Sequence, residues 1–222
     1  MLRLSATLLE SSRLYHEGVT SPGGQILVDQ ADLIESIAGE FVETEPMRLG
    51  SAFHAVFEDP DPHLEMWDGA GVYLSDGYTF DAQAVDKAVA DIWALAPVME
   101  VPSTDATLQT DYGPVRISAR ADAIAGLDAW EIKTTQRYPK PERYLDSMQW
   151  RTYVLAYGVT SVTYRIVQLK HLKKPDVWTV TNTETLTLYP YPQITQDVTE
   201  AATRLVEFIQ HHNLNEHRQE AA

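Results

Sequence analysis

The sequence predicts an α/β (α+β) fold in which a central mixed β-sheet is flanked by helices. Two observations lead to this prediction. In the N-terminal half, apolar residues recur at helical spacing, whereas from about residue 98 they alternate with polar residues as in strands. The predicted order is helices, then strands, then a helix, two strands and a helix, which is typical of a sheet covered by helices. With 222 residues, 44% of them hydrophobic, the chain is expected to form one domain over residues 1–222.

The helices are predicted from periodicity and from their end signals. Asp81 stands where a helix N-cap is expected, and Pro97 follows the end of the same apolar stripe. The Asp-Pro-Asp-Pro run at 59–62 ends another helix, because proline cannot continue one. The predicted helices cover residues 29–42, 47–58, 81–95, 140–157 and 195–211.

The strands are predicted from period-two alternation between turn residues. A short hairpin is expected over 72–80, with Asp76-Gly77 at its turn. Turns at 111–114 and at Gly126 separate three segments that are expected to form a meander, and Asp122 falls on its second strand. The segments of the meander and the two later strands are 98–110, 115–124, 129–134, 161–169 and 177–188.

The charge of the chain is unevenly distributed. The 17 basic and 32 acidic residues give a net charge of −15, which by itself argues against a polyanionic partner. Residues 1–115, however, hold 4 basic and 20 acidic residues, whereas residues 116–174 hold 11 basic and 5 acidic ones. A basic region within an acidic chain leaves room for a nucleic-acid surface.

The absence of cysteine excludes disulfides, thiolate metal sites and cysteine nucleophiles. No apolar run approaches the roughly 20 residues that span a bilayer, and the N-terminus lacks the features of a signal peptide. We therefore expect a cytoplasmic protein without a membrane partner.

Candidate chemistry is concentrated between Arg116 and Thr135. Glu131 and Lys133 lie two residues apart on a predicted strand, so their side chains share one face, and a hairpin would bring Asp122 alongside Glu131. Neighbouring carboxylates repel unless a cation lies between them, and oxygen ligands suit Mg²⁺ or Mn²⁺. A lysine beside such a metal can orient water or stabilise charge on a phosphate. The alternative is that Asp122, Glu131 and Lys133 lie on an ordinary solvated face of the sheet.

Two further motifs favour the metal site. Gly50-Ser-Ala-Phe-His54 lies in a predicted helix upstream, and Gln149-Trp-Arg-Thr-Tyr153 lies in the helix after Lys133. Together with Asp122 and the string Glu131-Ile-Lys-Thr-Thr135, they resemble the PD-(D/E)XK nuclease superfamily. The closest resemblance is to its RecB-type and phage exonuclease branch, which includes exonuclease VIII-like and lambda-type enzymes. The motifs span about 47–157, and the resemblance implies a restriction-endonuclease-like core over about 47–188.

The resemblance implies a role for each matching residue. Lys133 would be the catalytic lysine, and Gln149 and Tyr153 would line the site and contact the DNA backbone or hold Lys133. The full catalytic set is His54, Asp122, Glu131, Lys133, Gln149 and Tyr153. The metal ligands would be His54, Asp122, Glu131, the carbonyl oxygen of Ile132 and, near a second metal, Glu100.

The same resemblance implies a Mg²⁺-dependent deoxyribonuclease in which Mn²⁺ substitutes and one or two ions bind. The favoured function is a phage-type exonuclease of DNA recombination and repair that acts on linear duplex ends. A homo-oligomeric ring and a single-strand annealing protein as partner are also expected from the relatives. Two alternatives stay open. One is a site- or structure-specific endonuclease of the same superfamily, and the other is a noncatalytic DNA-end-binding or DNA-mimic module.

Several cations follow the candidate metal site along the chain, and we expect them to hold phosphates of the DNA. The alternative is a set of scattered solvated charges. The predicted DNA-binding residues are Arg137, Lys140, Arg143 and Arg151. Further cations that could extend the groove are Arg165, Lys170, Lys173 and Lys174. In some relatives an arginine binds a terminal 5′ phosphate, for which Arg13 and Arg48 are the candidates here.

Overall fold

A computed structural model of the chain describes residues 1–21, 23–40, 42–67, 69–95, 97–99, 101 and 103–214. It confirms the predicted mixed sheet flanked by helices. The helices are α1 (Ala6–His16), α2 (Gln30–Ala38), α3 (Glu45–Glu58), α4 (Ala82–Trp93), α5 (Met148–Tyr157) and α6 (Ile194–His211). The strands are β1 (Leu2–Ser5), β2 (Leu64–Trp67), β3 (Ala70–Ser75), β4 (Tyr78–Asp81), β5 (Val98–Met99), β6 (Thr104–Thr110), β7 (Gly113–Ala119), β8 (Ala123–Ala125), β9 (Asp128–Thr135), β10 (Ser161–Lys173) and β11 (Asp176–Leu188).

The strands form two sheets. The larger one has eight strands in the order β2-β3-β4-β11-β10-β9-β8-β5, and the smaller one has the order β1-β7-β6. In the larger sheet β10 runs parallel to β9 and antiparallel to β11, and β4 runs parallel to β11. The sheet is therefore mixed, and its central strands β9 and β10 hold the segment 128–135 in a fixed register.

Helices cover both faces of the larger sheet. On one face, α3 and α4 pack against Ile132 of β9 and Val167 of β10. On the other face, α5 packs through Trp150 and Tyr153 against Tyr164 of β10. The smaller sheet lies beyond α5 and packs against α1 and α6. Strand β9 is thus enclosed between α3 and α5. Among the described residues, no helix is both long and apolar enough to cross a membrane.

Local signals place most element ends correctly. Asp29 caps α2 in a capping box, which agrees with the predicted start, but the helix ends at Ala38 and not at the predicted residue 42, because Gly39 adopts a φ of 75°. The Asp81 carboxylate accepts the N–H of Ala84 at 3.2 Å and begins α4. Strands β3 and β4 form the predicted hairpin, in which Asp76 and Gly77 have φ values of 46° and 78° as a tight primed turn requires.

The predicted three-stranded meander is wrong. The segment 98–110 divides into β5 and β6, and 115–124 divides into β7 and β8, so that β6 and β7 join the smaller sheet while β8 and β9 belong to the larger one. Asp122 accordingly lies in the bend just before β8 and not on a strand. A chain that crosses between sheets keeps its alternation on both sides of the bend, so periodicity alone does not reveal the crossing.

Two other predictions need correction. The segment 140–157 is not one helix, because a 3₁₀ turn over Pro141–Tyr144 precedes α5, whose N-cap is Ser147. The N-terminal β1 and α1 were not predicted. Ser5 caps α1 by accepting the N–H of Leu8 at 3.2 Å, and β1 pairs in parallel with β7, a partner more than a hundred residues away in the chain.

Gly50 allows α3 to approach β9 closely. A Cβ atom on Gly50 would lie 3.0 Å from Oγ1 of Thr134. That distance is shorter than an ordinary van der Waals contact, so a larger residue would push the helix away from the strand. The position of His54, one turn further along α3, therefore depends on glycine at residue 50.

We predict that Gly50→Ala destabilises the fold by about 1 kcal/mol, because crowding against Thr134 outweighs the gain in helix propensity. In a Thr134→Ala background the same substitution should be neutral or stabilising. Urea unfolding of the four proteins of this double-mutant cycle measures the coupling. Equal effects of Gly50→Ala in the two backgrounds would contradict the close packing of α3 on β9.

Candidate metal and DNA site

The site forms where strand β8 ends and β9 continues. Strand β8 pairs only with residues 128–130 of β9, and no strand in the described parts of the chain pairs with 131–135 on that side. The Oδ2 atom of Asp122 takes the place of a strand partner, because it accepts the N–H of Ile132 at 2.7 Å. This bond holds a carboxylate beside β9, at the edge that β8 leaves open.

Glu131 is the buried centre of a hydrogen-bonded group. Its Oε1 atom accepts Lys133 Nζ at 2.6 Å and Gln149 Nε2 at 2.7 Å, and its Oε2 atom accepts the Tyr153 hydroxyl at 2.7 Å. Gln149 Nε2 also lies 2.7 Å from the Tyr153 hydroxyl. The two residues of the Gln-x-x-x-Tyr motif share one face of α5, because i and i+4 are neighbours on a helix. That face fixes the Glu131 carboxylate.

His54 and Asp122 form the second half of the site. Nδ1 of His54 lies 3.4 Å from Oδ1 of Asp122, across from the oxygen that binds the Ile132 N–H. Glu58 lies one turn beyond His54 on α3, and ligand atoms of His54, Glu58 and Asp122 lie within 4.8 Å of one another. An imidazole nitrogen and two carboxylates at this separation form a donor set suited to a divalent cation.

Glu58 was missed from the sequence. A signal for it existed, because His54 and Glu58 are spaced i, i+4 in a predicted helix and therefore share a face. It was hidden by the 20 acidic residues of the first 115, most of which are candidates for solvated surface positions.

Burial and mutual charge set the protonation of these groups. Burial opposes ionisation of Asp122, but the hydrogen bond and charge of His54 and the Ile132 N–H lower the pKa of Asp122 below its usual value. Burial also opposes protonation of His54, yet Asp122 raises the pKa of the imidazole. His54 and Asp122 thus favour each other's charged form.

Glu131 and Lys133 respond differently. Burial and the charge of Asp122 raise the pKa of Glu131, although Lys133 and Tyr153 oppose the rise. Burial opposes the charge on Lys133, but Glu131 raises the pKa of the lysine above its usual value, so the ammonium form is retained at neutral pH. Burial and the nearby charge of Asp122 both disfavour the carboxylate form of Glu131, as expected at a site that receives a cation.

A cleft of about 640 Å³ opens beside Lys133 and Gln149. Arg143 lines it, and Arg13 lines it from α1. Arg137 and Lys140 are exposed in the segment between β9 and α5. Three of the four predicted DNA-binding cations therefore lie exposed on the chain between the Lys133 strand and the Gln149 helix.

Other cations named from the sequence are engaged within the protein. The Arg151 side chain is 13% exposed, donates to the Asp146 carbonyl at 3.0 Å and lies over the Trp150 and Tyr191 rings. Arg165 is buried, donates to the Ala88 carbonyl at 2.7 Å and pairs with Asp91, so it joins β10 to α4. The expectation that Arg165 extends a DNA groove is therefore wrong.

The remaining candidates occupy varied positions. Lys170, Lys173 and Lys174 are exposed at the far end of the β10–β11 hairpin. Arg48 is exposed and pairs with Glu45. The side chain of Ile132 is buried in the core beneath α3, which leaves only its backbone for the site. Glu100, named as a ligand for a second metal, lies outside the described residues.

Comparison with solved structures finds similar folds. The crystal structure of a protein named SSO0001 matches with a TM-score of 0.52 at 14% sequence identity. The match covers 92% of this chain and 75% of the SSO0001 chain. Two structures of LHK-Exo also match. The alkaline exonuclease from Laribacter hongkongensis has a TM-score of 0.48 at 16% identity over 99% of this chain and 95% of its own. The structure of LHK-Exo in complex with dAMP has a TM-score of 0.49 at 14% sequence identity. The match covers 98% of this chain and 93% of the LHK-Exo chain.

No protein-family model matches the chain, and no curated protein matches it either. At 14% identity the likeness to SSO0001 concerns the fold, in agreement with the mixed sheet and flanking helices described above.

We predict that Glu58→Gln weakens Mn²⁺ binding at least about tenfold, because it removes one anionic oxygen from the group formed with His54 and Asp122. Isothermal titration calorimetry measures the affinity. The matched control is Glu45→Gln, which removes a carboxylate from the first turn of the same helix. Equal Mn²⁺ affinities for Glu58→Gln and the wild-type protein would exclude Glu58 from the metal site.

Proposed function

We propose that this protein is a divalent-metal-dependent deoxyribonuclease, and that it acts as an exonuclease on linear duplex DNA. The observation that carries the proposal is that His54 and Asp122, at the open edge of β9, lie near the group formed by Glu131, Lys133 and Gln149. A solvated sheet face would leave these groups apart and exposed. Here Lys133 and Gln149 donate short hydrogen bonds to Glu131, His54 Nδ1 lies 3.4 Å from Asp122 Oδ1, and the Glu131 side chain is 5% exposed.

The donor set fits a divalent cation such as Mg²⁺ or Mn²⁺. Asp122 and Glu131 would hold the ion together with His54 and the carbonyl oxygen of Ile132, and Glu58 adds a further carboxylate. When bound, a cation of this kind lowers the pKa of a coordinated water and neutralises charge on the scissile phosphate.

Lys133 has a charge-stabilising role in this proposal. Hydrolysis adds water to phosphorus, breaks the bond to the leaving sugar oxygen and concentrates negative charge on the phosphate oxygens. The Lys133 ammonium, retained by the raised pKa of the side chain, donates to those oxygens or to the attacking water. Gln149 and Tyr153 hold Glu131 in one position, so a cation held there and the Lys133 ammonium would need no rearrangement to meet the phosphate.

The proposal extends to the whole chain as one nuclease domain of the PD-(D/E)XK type. Substrate DNA would approach through the cleft beside Lys133, with Arg137, Lys140 and Arg143 on phosphates. A role in phage-type recombination, a homo-oligomeric ring and a single-strand annealing partner belong to the same proposal and follow from the sequence resemblance.

End-labelled linear duplex and covalently closed circular DNA test the activity, each with Mg²⁺, Mn²⁺ or EDTA. We expect metal-dependent loss of the linear DNA alone. Lys133→Ala should reduce the rate by about a hundredfold or more, because it removes a preorganised charge from the transition state. Lys87→Ala, an exposed lysine of α4, should cleave like the wild-type protein.

Cleavage of the circle would favour an endonuclease of the same superfamily. If neither DNA is cleaved with either metal, the catalytic proposal fails and a binding module becomes the better explanation. Equal rates for Lys133→Ala and Lys87→Ala would remove Lys133 from the mechanism.

The DNA surface can be tested by salt dependence. Each phosphate contact contributes roughly 0.9 to the slope of log K against log salt. Replacing Arg137, Lys140 and Arg143 by Gln should therefore reduce the slope for duplex binding by about 3, measured with Ca²⁺ in place of Mg²⁺. Replacing Lys170, Lys173 and Lys174 is the control for a loss of three charges. If the slope falls by the same amount in both triple variants, the three cations near Lys133 contribute only nonspecific attraction to DNA.

A further inference from the structure

Glu10 of α1 connects the N-terminal helix to α5. Its Oε2 atom accepts the backbone N–H of Met148 at 2.7 Å, across a sequence separation of 138 residues. The same carboxylate is held by Arg13, whose Nη2 lies 2.7 Å from Oε1 and whose Nε lies 3.2 Å from Oε2. The Arg13 side chain is only 6% exposed and that of Glu10 is 22% exposed, so the ion pair is partly buried. The Glu10 carboxylate therefore has a fixed position.

The contact satisfies a specific need of α5. The first N–H groups of a helix lack partners within it and carry a partial positive charge. The hydroxyl of Ser147 accepts the Gln149 N–H at 3.1 Å, but the first turn of α5 contains no acidic residue. Glu10 supplies the missing negative charge and the acceptor for Met148 from a different helix.

The next residue after Met148 belongs to the candidate site. Gln149 Nε2 lies 2.7 Å from Glu131 Oε1, and Tyr153, one turn later, donates to Glu131 Oε2 at 2.7 Å. A shift of the first turn of α5 would therefore lengthen the bonds that hold the Glu131 carboxylate. Glu10 is thus connected to Glu131 through the backbone N–H of Met148 and the side-chain amide of Gln149.

We propose that Glu10, oriented by Arg13, is a positioning residue that fixes the first turn of α5 and thereby the Glu131 carboxylate. The proposal rests on the nuclease function proposed above. It also gives Arg13 a role other than that of a terminal-phosphate ligand. Its Nε and Nη2 are directed at Glu10, and its Nη1 lies 2.6 Å from Glu17.

The chain offers a matched control for this proposal. Glu17 binds the same arginine as Glu10 does, but its side chain is 46% exposed and its described hydrogen bond reaches Arg13, not α5. Glu10→Ala and Glu17→Ala each remove one carboxylate from Arg13, and only the first removes the acceptor of the Met148 N–H. The comparison separates positioning of α5 from a general loss of stability.

Two measurements on the full chain test the proposal. In Glu10→Ala, amide hydrogen exchange at Met148 and Gln149 should be faster, and the single-turnover rate should fall about tenfold to a hundredfold, the usual range for residues that orient a metal ligand. Glu10 and Glu17 both line the cleft beside Lys133, so any change in the KM for DNA should be the same in Glu10→Ala and Glu17→Ala. Glu10→Gln keeps an acceptor oxygen and should recover most of the rate. Glu17→Ala should match the wild-type protein in both measurements.

Several outcomes would overturn the proposal. It fails if Glu10→Ala exchanges and cleaves like the wild-type protein, or if Glu17→Ala loses as much rate as Glu10→Ala. If Glu10→Ala does not fold, Glu10→Asp takes its place, because the shorter side chain keeps the charge but does not reach both Arg13 and Met148. A wild-type rate and unchanged exchange in Glu10→Asp would then overturn it.

A readout that needs no cleavage separates this proposal from the nuclease function. The affinity for Mn²⁺ should fall in Glu10→Ala and not in Glu17→Ala, because the Glu131 carboxylate is released only in the first variant. If the wild-type protein cleaves no DNA but shows this pattern, the nuclease function fails and the positioning role stands. If the wild-type protein cleaves DNA and the two variants bind Mn²⁺ with equal affinity, the positioning role fails and the nuclease function stands.

Discussion

The buried carboxylate of Glu131 is the constraint on which the arrangement of the site depends. A carboxylate in the protein interior is costly unless its oxygens are hydrogen-bonded or paired with a cation. Here the donors are Lys133 on the same strand and Gln149 and Tyr153 on α5. Strand β9 supplies only the Lys133 donor. The other two donors lie on α5, so this helix must pack against β9 at a defined distance and in a defined rotation about its own axis. The hydrophobic contacts of Trp150 and Tyr153 with the sheet maintain that packing.

The open edge of β9, beyond the end of its pairing with β8, explains the position of Asp122. Because β8 is only three residues long, the N–H of Ile132 lacks a strand partner on that side, and the Asp122 carboxylate accepts it. The carboxylate is then close enough to α3 to meet His54, provided that the helix approaches β9 as closely as Gly50 permits. The short strand β8, the bend at Asp122 and the close helix approach at Gly50 together place the Asp122 carboxylate near that of Glu131. Burial and the charge of Asp122 raise the pKa of Glu131, and a bound divalent cation would offset both effects.

Much of this arrangement could be predicted from the sequence, because it depends on local spacing. Residues i and i+2 share a strand face, so Glu131 with Lys133 was recognisable as a pair from spacing. Gln149 and Tyr153 also share a helix face, but only the resemblance to the nuclease superfamily assigned them to the site. The caps at Asp29 and Asp81 and the turn at Asp76-Gly77 are local as well. The bend at Asp122 was not predictable in this way. Alternation continues on both sides of it, and only the pairing of distant strands decides which sheet each side joins.

The carboxylates that escaped prediction lie in the acidic N-terminal half of the chain. Glu10 and Glu58 are two among the 20 acidic residues of the first 115, and charge counting assigns that whole region a passive role. Their surroundings differ from those of a solvated acid. Glu58 lies with His54 and Asp122, and Glu10 lies between a buried arginine and a helix N-terminus. What distinguishes such residues is a partner far away in sequence, which composition and periodicity do not encode. An acidic half is therefore compatible with the anionic substrate proposed above, since its inward-facing carboxylates can meet a cation or a helix end while the remainder stays in solvent.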